Sequence, residues 1–189
     1  MNKALKIMSV AALSVVAGIA VVSTVHGFGD NAGGRPTYTV ADVNAGKLGD
    51  KVVLNSIKDN DSSLTEAEKK AGAVTPLTDE RSFIGIRDEA TGNNGLKNVW
   101  HVGEVNIEEG KTYIVRMYIH NNSPKGVNGM AKDLTAKVDL PNLVDDKSRI
   151  TGYFSASNAT PSQIWDSVVL KTADKRRFYL DYIEGSATF

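Results

Sequence analysis

Residues Lys58 to Glu68 read KDNDSSLTEAE, a run of oxygen-bearing side chains ahead of a helical segment, as in a loop that wraps a hard cation. Asp59, Asp61, Ser63 and Glu68 are the candidate metal ligands. The sequence requires no cofactor, and calcium is the one it suggests. Two positions break the register. With Glu68 as the twelfth residue of the loop, Ile57 falls first, where a carboxylate belongs, and Ser62 replaces the glycine of the sharp turn. The same acids suit a helix N-terminus, because Thr65 and Glu68 form a capping box and Gly72 is a stop signal.

The second candidate lies in Thr112 to Pro124, TYIVRMYIHNNSP, which reads as a strand running into a turn. Tyr113, Val115, Met117 and Ile119 share one face, expected to meet the core, and Ile114, Arg116, Tyr118 and His120 share the other. Arg116, His120 and Asn121 form a binding site if a partner covers that face, and a solvated sheet surface if none does. His26, His101 and His120 have no zinc spacing, although a hairpin would bring the last two together.

Other arrangements lack a partner of the right kind. Glu108 and Glu109 are adjacent on a tight turn, so their carboxyls diverge, whereas glycosidase chemistry needs two facing one bond. An isopeptide bond would need Lys111, Asn121 and Asp181 to converge. No serine sits in a nucleophile elbow, and the glycines of Gly27 to Pro36 follow no buried strand of a nucleotide fold. The sequence therefore predicts a protein that is not an enzyme.

The elements that must position these residues begin with an export segment. Lys3 and Lys6 precede an apolar run from Ile7 to Val25, and small residues lead to a cleavage position after Gly27. Residues 1–27 are expected to be a signal peptide, or a helical membrane anchor through 7–25 if uncleaved, which puts the remainder in a secreted or cell-surface location. Residues 28–36 read as a flexible linker and 37–189 as one domain, with 37–98 an N-terminal extension or insertion. In 189 residues there is room for one core. Twenty-two basic residues balance 22 acidic ones, so no long-range field favours nucleic acid, and the absence of cysteine removes disulfides and thiolate chemistry.

Beyond Pro36 the apolar pattern has a period of two. Strands are predicted at Thr37 to Val40, Lys51 to Ile57, Arg81 to Arg87, Val99 to Ile107, Thr112 to Asn121, Ala131 to Pro141, Arg149 to Ser155, Ser167 to Thr172 and Arg177 to Ile183. Val99 to Asn121 reads as a hairpin or a strand-corner-strand unit. Leu134, Ala136, Val138 and Leu140 should face inward, with Trp100, Trp165, Tyr153 and Tyr182 as aromatic anchors. Helix is predicted at Thr65 to Ala71, with one turn at Pro161 to Trp165. Turn signals every dozen residues or so indicate an all-β, Greek-key sandwich of seven to eight strands.

Within this pattern, Ile119, Asn121, Ala131, Val138, Leu140 and Pro141 recur in an order that resembles the conserved immunoglobulin-like repeat domain of bacterial cell-surface proteins. The closing Tyr182-Ile-Glu-Gly-Ser-Ala is similar to that family's final corner, so the resemblance spans roughly residues 100–189. It implies an immunoglobulin-like fold in a family whose own function is undefined, and the leading reading of the sequence is an exported, non-enzymatic adhesion or assembly module acting through a protein or cell-surface partner, including further copies of itself. An alternative is a pilus- or filament-like subunit using strand complementation, since the sequence leaves a sheet edge to be supplied by Thr37 to Val40 or by another molecule. A calcium-dependent carbohydrate-binding module is the remaining reading.

Overall fold

A computed structural model describes residues 4–10, 35–58, 79–91, 100–123 and 127–188. From residue 84 onward, alternating apolar residues form seven strands: β2 (Ile84–Asp88), β3 (Gly103–Ile107), β4 (Thr112–Met117), β5 (Thr135–Asp139), β6 (Lys147–Ser155), β7 (Gln163–Thr172) and β8 (Tyr179–Tyr182). A further strand, β1 (Ala4–Val10), comes from the N-terminus. They form two open sheets, ordered β2-β4-β1-β8 and β3-β7-β6-β5.

The alternation has a direct structural result in β6 and β7, which pair antiparallel with Ile150 opposite Val168 and Phe154 opposite Ile164. On β6 the buried residues are Ser148, Ile150, Gly152 and Phe154; on β7 they include Ile164, Asp166, Val168 and Leu170. Ile84, Ile86 and Val115 from the other sheet and Phe83 just before β2 join this layer, with the Phe83 and Phe154 rings 5.1 Å apart. Each fully buried aliphatic side chain contributes roughly 1.5–3 kcal/mol relative to exposure. A carboxylate ties the layers as well: buried Asp166 on β7 accepts the Ile84 N–H at 3.0 Å and that of Ser167 at 2.8 Å.

The predicted faces of β4 hold, with Tyr113 and Val115 buried and Met117 and Ile119 packed against the core. Of the two readings of Val99 to Asn121, the corner is the observed one. β3 pairs parallel with β7, and β4 pairs antiparallel with β2 in the opposite sheet. Gly110, at φ +80°, turns the chain between them, and the Tyr113 hydroxyl accepts the Glu108 N–H at 2.8 Å.

Four expectations need correction. Residues 4–10, at the start of the predicted N-terminal helix, are extended and run parallel to both neighbours, Lys6 to Val10 beside Thr112 to Arg116 and Ala4 to Ile7 beside Tyr179 to Tyr182. Thr37 to Val40 is not a strand, because Thr39 caps the short helix α1 (Val40–Asn44) through a capping box with Asp42. Lys51 to Ile57 makes only isolated bridges, Val52 to Ala159, Leu54 to Asn121 and Ile57 to Tyr38. Asn55, at φ +44°, interrupts any regular ladder there. Gln163 to Trp165 belongs to β7 and is not helical. The helix expected at Thr65 to Ala71 lies outside the described residues.

Among the aromatic anchors only Trp100 is buried, while Tyr182 is exposed and Trp165 and Tyr153 are half-buried; Leu134 is exposed too. Arg35 fastens the irregular segment to the core by donating to the Arg81 and Asn55 carbonyls and stacking over Phe83. Burial lowers its pKa to about 10.

Gly152 lies against the opposite sheet, since a methyl there would run into the Met117 sulfur and lie 3.3 Å from Ile84 Cδ1. Gly152→Ala is expected to destabilise by about 1–3 kcal/mol in urea unfolding. Adding Met117→Ala should recover part of that loss; if the double variant is no better than the sum of its parts, the contact is not the cause.

Candidate functional site

Past Met117, β4 leaves its ladder after one further bond, Tyr118 N–H to the Phe83 carbonyl at 2.8 Å. The chain then lies against residues 53–57. Asn55 donates its N–H to the His120 carbonyl and Asn122 donates to that of Val53, both at 2.9 Å. The Asn55 side chain adds two bonds, donating to the Tyr118 carbonyl at 2.7 Å and accepting the His120 N–H at 2.5 Å.

At the centre of this crossing is Glu80, 2% exposed. One carboxylate oxygen meets His120 Nδ1 at 2.5 Å; the other accepts the Ile57 N–H at 3.2 Å and the Asn122 amide at 2.8 Å. Asn122 in turn accepts the N–H and hydroxyl of Ser56 at 2.8 and 2.9 Å. The His120 side chain is 48% exposed, and its Nδ1 faces the carboxylate. Such an imidazole is oriented for proton transfer or metal ligation. The Ser56 hydroxyl is already committed to Asn122, and among the described residues no three His, Asp or Glu side chains cluster to hold a metal. The cluster's evident work is structural, as it satisfies backbone groups that have no sheet.

The three predicted binding residues do not form one site. His120 turns to Glu80, while the Asn121 amide donates to the Gly129 carbonyl at 2.7 Å and its oxygen accepts the Ser123 N–H. That last bond caps the turn after the strand, a role short amide side chains commonly take. Arg116 lies over Trp100, 4.1 Å from the ring centroid, with Arg87 at 5.2 Å from the same ring. Gly85, opposite Arg116 in the ladder, lies beside Trp100, and a Cβ there would stand 3.4 Å from Trp100 Cβ, an ordinary contact. Burial lowers the Arg116 pKa, and the neighbouring charge of Arg87 lowers it further.

His101 exchanges backbone bonds with Ile86 and does not meet His120. The isopeptide arrangement does not form either, because Lys111 binds Asp88 and Glu108 while Asn121 is held by Gly129. Asp59, Asp61, Ser63 and Glu68 lie outside the described residues. Sequence reasoning missed Glu80, Asn122 and Arg87. The polar run Thr78-Asp-Glu-Arg81 reads as solvated loop, and only the apolar residues on both sides hint that one acid is enclosed.

The chain matches no family model, no curated protein and no solved structure.

Glu80→Ala leaves the Ile57 N–H and the Asn122 amide without their acceptor, and is expected to cost about 1–3 kcal/mol. His120→Ala, at a half-exposed position, should cost less. Hydrogen exchange checks the location: the Ile57 amide should lose protection in Glu80→Ala and keep it in His120→Ala.

Proposed function

We propose that the protein is an exported, non-enzymatic module of the cell envelope, and that it acts through protein–protein contacts made by strand addition. The basic start and long apolar run support export, and the resemblance of residues 100–189 to bacterial surface domains supports the location. The observation that carries the contact mode is β1. β4 and β8 are neighbours only through Ala4–Val10, a segment separated from the described part of the domain by residues 11–34.

A strand held by parallel pairing on both sides, and remote in sequence from both, is an element that another chain can supply. Removal of residues 1–27 on export would vacate that slot. The facing edges of Thr112–Met117 and Tyr179–Tyr182 would then carry unpaired backbone groups, the acceptor half of strand complementation.

Ile7→Pro tests this reading in the full chain, because proline removes a ladder N–H and its ring obstructs pairing. Chromatography with light scattering should find the parent monomeric and the variant oligomeric, and a synthetic peptide of residues 4–10 should return the variant to monomer. A variant that stays monomeric, with the melting temperature of the parent, would exclude the slot as an interface.

A further inference from the structure

At the end of the molecule where β2, β3 and the Glu108–Lys111 corner meet, there is a cavity of about 600 Å³. This lies within the range of small-molecule sites. Val105 and Tyr113 give it an apolar wall, and Arg87 and Trp100 close another side.

The charges around it are unevenly satisfied. Asp88 holds Lys111 at 2.9 Å and the Ala90 N–H at 2.9 Å, and Glu108 holds the same lysine at 3.1 Å. Glu104 binds Lys147 at 2.8 Å and Lys171 at 2.6 Å, which lower its pKa to about 2. Every carboxylate lining the cavity thus has its cation. Arg87 has no carboxylate partner among the described residues. It is 8% exposed, its Nη1 reaches only the carbonyls of Asp88 and Glu89 at 3.4 and 3.5 Å, and its buried Nε has no hydrogen-bond partner. A guanidinium withdrawn from water needs an acceptor, and stacking on Trp100 supplies none in the plane of the fork.

We infer that this cavity binds a small monocarboxylate with an apolar body, its carboxylate paired with the Arg87 guanidinium and its body against Val105 and Tyr113. A carboxylate matches the planar fork of arginine. A phosphate dianion fits poorly, because Lys111 is already shared by two carboxylates and Asp88, Glu104 and Glu108 would repel a second negative charge. This site is separate from the strand slot and does not depend on it.

Benzoate is the probe, with benzamide as its neutral counterpart and inorganic phosphate as the dianion. In the full chain, benzoate should shift the Arg87 Nε–H resonance saturably, with a Kd on the order of 1 mM, and raise the melting temperature. Benzamide and phosphate should do neither. Arg87→Met should abolish the thermal response. Arg87→Lys, which keeps the charge but loses the fork and is the milder change should the methionine variant fail to fold, should weaken binding about tenfold. No saturable shift with benzoate, an equal response to benzamide, or unchanged benzoate affinity in Arg87→Lys would overturn the assignment.

Discussion

The carboxylate of Glu80 is enclosed by protein, yet it accepts hydrogen bonds from a backbone N–H and an asparagine amide and contacts a histidine. Much of the irregular N-terminal part of the domain hangs on this group. Residues 51–58 place Val52, Leu54 and Ile57 under the core without forming a regular strand, so their backbone groups need partners of another kind. Glu80, Asn55 and Asn122 supply them. Asp166 does the same between the sheets by taking the Ile84 N–H. Buried acid and amide side chains stand in for missing ladder bonds, and removing one leaves the others unsatisfied.

The same requirement accounts for β1. Thr112–Met117 and Tyr179–Tyr182 do not pair with each other, and the gap between them is bridged by a parallel strand. The two ends of the chain are thereby bound to its middle. Arg35 and Arg87 depart from this pattern, each with a buried Nε that has no acceptor, and Arg87 stands beside a cavity whose acids are all engaged.

Much of the fold was legible where one side of a strand is buried and the other wet. β6 and β7 follow their alternation, β4 and β8 form close to their predicted positions, and the inward faces of Tyr113, Val115, Ala136 and Val138 were readable from period alone. Legibility failed where that contrast disappears. Val52, Val53 and Leu54 are all buried, so a run that reads as a strand is an irregular segment clasped from several sides. Thr39 and Asp42 held a capping signal that the β-branched Thr37 to Val40 concealed. The start of the apolar N-terminal run reads as a leader, and nothing local in it indicates pairing with residues more than 100 positions away. The candidate sites were less legible. Arg116 was readable as a charge on the outer face, but its stacking on Trp100 is a contact that strand period alone does not specify. Glu80 looks like any loop acid until the fold closes around it.

Amide hydrogen exchange on the full chain, compared with the chain lacking residues 1–27, tests most directly whether sheet completion depends on β1. The account predicts strong protection across Thr112–Met117 and Tyr179–Tyr182 in the full chain. On removal of the N-terminus, that protection should fall at those two strands while β6 and β7 keep theirs. Equal protection of β4 and β8 in both chains, with the shortened chain monomeric, would contradict it, because those edges would then be satisfied without Ala4–Val10.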